Sequence, residues 1–186
     1  AIVGGENNKV IDSHSFVGAG YNNCVAGTYS VIAGGFGNIS NGNYSGVSLG
    51  KGNKACSDYS VVGGGTLNCA LQSSTTIAGG YCNVVRGQYS SIVGGQENTI
   101  EQGELNFIAG GNVNKIFNKS NRSFIGGGQQ NCSLSAYDFI GGGRLNKVCA
   151  TKAGVLEGEC NTVSKDHESS FIIGSNLVSN LSSTTF

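Results

Sequence analysis

The chain has 186 residues, 32 of them Gly and none of them Pro, Met or Trp, and its 11 basic and 11 acidic side chains cancel. With 21 Asn and 23 Ser beside the Gly, it is rich in residues that helices avoid, which excludes a helical bundle. The missing Pro excludes collagen, the zero net charge without a basic run excludes a phosphate-gripping nucleic-acid binder, and no apolar run reaches the roughly 20 residues of a membrane span. Low net charge with many β-branched residues argues against disorder. Without an initiator Met or a signal peptide, the sequence reads as a processed or partial chain.

Taken in chain order, the elements are one motif repeated. Units begin at Ala1, Phe16, Val31, Gly46, Val61, Thr76, Ser91, Phe107, Phe124, Phe139, Gly154 and Phe171. They follow x-[IV]-x-G-G-x-x-N-x-[VIAS]-x-x-x-Y-S; most are 15 long, and those starting at Ser91, Phe107 and Gly154 carry one or two extra residues. Position 2 is always Ile or Val: Ile2, Val17, Ile32, Val47, Val62, Ile77, Ile92, Ile108, Ile125, Ile140, Val155 and Ile172. Position 5 is Gly until Ser175. Position 8 is Asn in the first eleven units: Asn8, Asn23, Asn38, Asn53, Asn68, Asn83, Asn98, Asn114, Asn131, Asn146 and Asn161. Position 14 gives Tyr29, Tyr44, Tyr59, Tyr89 and Tyr137, and position 15 gives Ser15, Ser30, Ser45, Ser60 and Ser90.

A period of 15 is too short for a pair of helices and suits one turn of an all-β parallel solenoid. About twelve coils at roughly 4.8 Å make a rod of roughly 58 Å. Strand one is expected over positions 14, 15, 1, 2 and 3, ending at the Gly pair. Strand two is expected over positions 8 to 11, with a turn near position 12, where Gly27, Gly42 and Gly87 sit.

Alternation then points positions 15, 2, 8 and 10 inward, a thin core of Ser, Ile/Val, Asn and Val/Ala. The Asn column reads as an inward ladder whose stacked amides satisfy buried polar groups. The rival reading, a row of surface Asn ligands, does not explain why every coil needs one.

The outer face of strand one is apolar, with Tyr at position 14 and Phe16, Val31, Val61, Phe107, Phe124, Phe139 and Phe171 at position 1. Position 3 is mostly small, and strand two points Lys9, Lys54, Lys115 and Lys147 outward. One apolar stripe along the whole rod is too long for a monomer to leave in water. Two or more chains are therefore expected to pack along strand one, with Phe16, Tyr29, Tyr44, Tyr59, Phe107, Phe124 and Phe139 at or near the contact.

The run Ser30-Val31-Ile32-Ala33-Gly34-Gly35, with the stretch Asn83 to Ser90, resembles the head repeats of trimeric autotransporter adhesins. The resemblance covers nearly the whole chain. It implies a left-handed parallel β-roll over 1–170, assembled as a homotrimer with the Ile-containing strand toward the threefold axis. The tail, from Phe171-Ile172-Ile173-Gly174 to Thr184-Thr185-Phe186, is similar to the exit from such rolls in fibre proteins of phages and large DNA viruses. Residues 171–186 are accordingly read as a last partial coil and exit segment.

Chemistry is sparse. The seven Cys, Cys24, Cys56, Cys69, Cys82, Cys132, Cys149 and Cys160, are odd in number and form no C-x-x-C pair. Cys24, Cys69 and Cys132 share position 9 but lie several coils apart, beyond disulfide reach. Cys56 and Cys69, in adjacent coils two positions apart, are marginal at about 8 Å. Free thiols are expected, with bridging between chains left open. His14 and His167 have no spaced partner, and Glu157-Gly158-Glu159 reads as a solvated turn. The recurring Gly pairs are turns, not phosphate loops. Of six N-x-[ST] sequons, at Asn38, Asn43, Asn118, Asn121, Asn131 and Asn180, those at Asn38 and Asn131 fall in the inward column. No enzyme activity, cofactor, metal, nucleic-acid partner or membrane insertion is expected.

The function this implies is a rigid trimeric fibre or adhesin segment on a virion or cell surface that spaces or presents a host-binding site. Its receptor, protein or glycan, is not readable. Alternatives are a self-assembling extracellular filament and an ice-binding roll. The irregular outward pairs Lys9/Ile11, Lys54/Cys56 and Thr99/Glu101 disfavour the latter. A solenoid lyase or hydrolase would need acids or bases clustered in neighbouring coils.

Overall fold

The computed structural model describes residues 1–117 and 120–179. Asn118, Lys119 and the segment 180–186 lie outside the described residues, and with them the sequons at Asn118 and Asn180 and the expected exit tail. The described chain has no helix and forms two parallel sheets of eleven strands each. The front sheet takes positions 1 and 2, from Phe16–Val17 to Phe171–Ile172, and the back sheet positions 9 and 10, from Lys9–Val10 to Thr162–Val163. Neighbouring coils pair like position on like position: Phe16 on Val31, Phe124 on Phe139, Lys54 on Cys69. The fold is a parallel β-solenoid of about eleven turns. Phe171–Ile172 joins the front sheet on Gly154–Val155, and Val178 bridges Thr162, so the last partial coil continues the roll.

The strands are shorter than expected, two residues each instead of four or five. Three residues per coil turn the chain through the left-handed region. At position 5 it is Gly, as in Gly35 at φ 97°. At position 7 it is whatever stands there, including Leu67 at 58° and Cys82 at 53°. At position 14 it is the Tyr column, with Tyr29, Tyr44 and Tyr59 at 54° to 57°. With a left-handed corner this often, only two residues stay straight in each sheet. The Tyr column therefore stands on a corner and not on strand one. A single ladder of bridges at position 6, from Glu6 to Glu159, ties the corner between the two sheets.

Glycine has two different reasons here. At position 5 both φ and space demand it: a Cβ on Gly35 would lie 2.2 Å from the Gly50 carbonyl oxygen and 2.6 Å from Asn38 Nδ2. At position 12, where a torsional turn was expected, the reason is crowding. A Cβ on Gly27 would lie 1.9 Å from the Gly42 oxygen.

The interior is a thin column of positions 2, 8, 10 and 15. Val17 through Ile172 of the position 2 column are buried, as are Val25, Ala55, Val85, Ile100, Ile116 and Val148 at position 10. Ile2 is 47% exposed, being an end rung with a neighbour on one side only. Among the described residues, no helix is long and apolar enough to cross a membrane.

Candidate functional site

The Asn column defines the rigid corner. Asn68 shows the pattern: its Nδ2 donates to the Gly64 and Gly80 carbonyls, both at 2.9 Å, and its Oδ1 accepts the Asn83 backbone N–H at 3.0 Å. Each amide thus ties its own turn, the next turn and the next Asn. Asn23 through Asn161 are fully buried; Asn8, on the end coil, is partly so. Asn38 and Asn131 are among the buried ones, so their sequons face the interior. This geometry offers nothing to a ligand from outside.

The opposite corner is held by position 15. Ser15 and Ser30 donate to the Gly27 and Gly42 carbonyls at 2.6 and 2.7 Å. Where position 10 is Ser, a bond also crosses the core, and Ser45 keeps its donation to the Gly42 carbonyl. Ser40 and Ser45 hydroxyls lie 2.6 Å apart, and Ser133 donates to Asp138 Oδ2 at 2.8 Å. Asp138 is 2% exposed, takes a second bond from the Ser135 N–H at 2.9 Å, and its Oδ1 has no partner. Burial pushes its carboxyl up to about 7. The sequence reading passed over Asp138; the signal was an acid standing in the Ser column.

The outer face of the front sheet carries the aromatic ladders. Phe107, Phe124 and Phe139 stack with centroids 5.7 and 5.4 Å apart. His14, Tyr29, Tyr44 and Tyr59 form a second run along the adjacent corner, with centroids 4.7 to 5.2 Å apart. Phe16 and the three Tyr are exposed, Tyr44 at 52%, whereas Phe107, Phe124 and Phe139 are half-buried against one another. Val31, Val61, Val93, Leu156, Phe171 and Ile173 add exposed apolar area on positions 1 and 3 of the same face.

Beside that face runs a glycine column that the chain itself does not require. At position 4, Gly64, Gly79, Gly94, Gly110, Gly127 and Gly142 occupy six consecutive coils. A Cβ on any of them would meet nothing closer than 3.6 Å, and apart from Gly127 none is at positive φ. Ala19, Leu49 and Glu157 stand at position 4 in other coils, so the fold accepts a side chain there.

Sequence reasoning also missed the position 6 stripe. Tyr21 stacks on Phe36 at 5.4 Å, and Lys51 Nζ lies 5.6 Å from the Phe36 ring centre. Only three of its members are aromatic, so the column gives little signal.

All seven Cys are free thiols. Burial raises the thiols of Cys56, Cys69, Cys132 and Cys149 above the usual range, which makes them poor nucleophiles. His167 Nδ1 does find a partner, Ser179 Oγ at 2.9 Å, but that hydroxyl is buried and accepts the Ser164 N–H at 3.1 Å. The pair ties the last coil. No group of three or more metal-ligating side chains comes together among the described residues. No protein-family model matches the chain, and no curated protein matches it in sequence.

Proposed function

We propose that the chain is a rigid segment of a homotrimeric fibre, joined to its copies along the front sheet and serving at a virion or cell surface to space or present a host-binding site. The observation that carries this reading is the apolar outer face of the front sheet, where Phe16, Val31, Val61 and Phe171 are exposed and Phe107, Phe124 and Phe139 are half-buried. Exposed apolar surface gathered on one face marks an interface. The position 4 glycines support it, since they leave backbone bare at the edge of the same face in the coils that hold Phe107, Phe124 and Phe139. The back sheet carries Lys9, Lys54 and Lys147 into solvent. The number three follows the resemblance to adhesin heads; burial of the face follows the pattern of exposure.

The test is the double variant Phe124→Asp/Phe139→Asp beside the control Lys54→Asp, followed by light scattering and thermal melting. The reading expects the double variant to lose the assembled mass or to unfold, and the control to match the parent. A double variant with the parent's mass and melting temperature would remove the front sheet from the interface.

A further inference from the structure

Position 14 turns the chain through the left-handed region, and that corner does not require Tyr. Ser74, Leu105, Arg122, Lys152 and Ser169 make the same turn at φ 54° to 59°. Three consecutive coils nevertheless place Tyr29, Tyr44 and Tyr59 there. The Tyr44 and Tyr59 N–H groups donate to the Thr28 and Asn43 carbonyls of the preceding coils, both at 2.9 Å, which holds the rings in register. Ring centroids lie 5.2 Å apart in both pairs, with planes within 7° of parallel. All three Tyr are exposed, and their hydroxyls make no bond among the described residues.

The other four Tyr are kept apart from one another. Tyr21 stacks on Phe36, Tyr81 stands between Thr66 and Gln96, and Tyr89 stands between Ser74 and Leu105 of the neighbouring coils. Tyr137 Oη accepts from Arg122 Nη1 at 2.7 Å, and the guanidinium lies 5.5 Å from the ring centre. A cation held there opposes loss of an electron from the ring. Among the described residues, Tyr29–Tyr44 and Tyr44–Tyr59 are therefore the two Tyr–Tyr pairs.

We propose that this ladder is an oxidative cross-linking site, where a peroxide-driven one-electron oxidant joins neighbouring coils of one chain through a carbon–carbon bond between Tyr rings. Each of two phenols gives up one electron and its hydroxyl proton. The two radicals couple through one ring carbon ortho to each oxygen. The hydrogen on each of those carbons then moves to its oxygen, which restores both phenols. The pair has lost two hydrogens in all, and hydrogen peroxide takes the two electrons and two protons and leaves as two waters. Stacking brings the rings together before oxidation, so no diffusional encounter is needed. Tyr44 has two ortho carbons and can be linked on both sides. The product is a rod whose linked coils cannot fray apart. The rings of one chain suffice, so the site does not depend on the fibre reading.

The experiment treats the intact chain with a haem peroxidase and hydrogen peroxide, and oxidises N-acetyltyrosine amide alongside as a check on the oxidant. Dityrosine fluorescence, intact mass, denaturing gels and peptide mapping by mass spectrometry read the product. The proposal expects a loss of two hydrogens per coupling with single-chain mobility on the gel. It expects links mapped to Tyr29–Tyr44 and Tyr44–Tyr59, and no preference for those pairs once the chain is unfolded in urea. Tyr44→Phe keeps the stack but parts the remaining phenols by two coils, roughly 10 Å, and should cut the yield at least tenfold. Tyr89→Phe should leave it unchanged. No dityrosine while the check couples, links only between chains, links favouring other Tyr, a preference that survives in urea, or a Tyr44→Phe yield equal to the parent's overturns it. The map of the parent decides the matter if a variant fails to fold. Light scattering on the same samples separates the two readings: a trimer without the link removes the ladder site alone, and a monomer with it removes the fibre reading alone.

Discussion

Asn38 Oδ1 accepts the backbone N–H of Asn53 from the next coil at 2.9 Å. The relationship repeats along the rod and makes one corner of the solenoid invariant. It gives the first prediction. Asn68→Ala leaves the Gly64 carbonyl and the Asn83 N–H without a partner, while the Gly80 carbonyl keeps the Thr66 N–H at 2.9 Å. At about 1–3 kcal/mol for each unpaired group, the loss should reach about 2–6 kcal/mol. Asn8→Ala, on a partly exposed end coil, should cost much less. Denaturant melts of the two variants check the difference.

The glycine pair should split by position. Gly95→Ala forces a methyl to 2.2 Å from the Gly111 oxygen at φ 86° and should melt far below the parent. Gly94→Ala meets nothing within 4 Å and should leave the coil intact, judged by circular dichroism. Equal effects at the two sites would remove the case for reading position 4 as an outward-facing edge.

Asp138 makes stability depend on pH in the opposite direction to a salt-bridged carboxylate. Its folded pKa, about 7, lies above the ordinary 3.8, so the folded state holds the proton more tightly. Stability is full below about pH 4, falls as pH rises, and levels off above about 7. At about 1.4 kcal/mol per pH unit the fall is bounded at a few kcal/mol. Asp138→Ser restores the residue of the column and should flatten the profile between pH 4 and 7. A variant with the parent's slope in urea melts across that range would contradict the assignment.

Thiol labelling should follow exposure. Cys160 is the exposed thiol, while Cys56, Cys69, Cys132 and Cys149 are half-buried and raised. Maleimide at pH 7 should reach Cys160 first, read by peptide mass spectrometry. Faster labelling of Cys69 or Cys132 would show that the back sheet is not packed as described.

Tyr44 sits at φ 54° yet keeps its ring 5.2 Å from both Tyr29 and Tyr59. Left-handed backbone costs a non-Gly residue about 1–2 kcal/mol, and each stacked pair returns about 0.5–1.5 kcal/mol. Tyr44→Asn, which tolerates that conformation, should therefore change the melting temperature little. A large loss would mean that the Tyr ladder supports the fold by more than stacking.

How much of this was legible follows from what each residue does. The Ile/Val and Asn columns announced the solenoid because every coil needs the same inward groups, and repetition at period 15 is visible without coordinates. The left-handed corners at positions 7 and 14 were not legible, since Leu67, Cys82 and Tyr44 carry no preference for positive φ. Overlong strands were the consequence. Asp138 could have been found, because an acid in an inward Ser column is a conflict the sequence shows. Position 4 was read as half of a turn pair, and the empty space around Gly79 and Gly94, with the absence of positive φ there, separates its glycines from the obligatory ones at position 5.

The most direct test of the central claim, that the front sheet is buried between copies, is the solution mass by light scattering coupled to size exclusion. The account predicts one species at three times the 19.0 kDa chain mass, unchanged by reductant because the thiols are free. A species at 19.0 kDa that stays folded and soluble over a hundredfold range of concentration would contradict it.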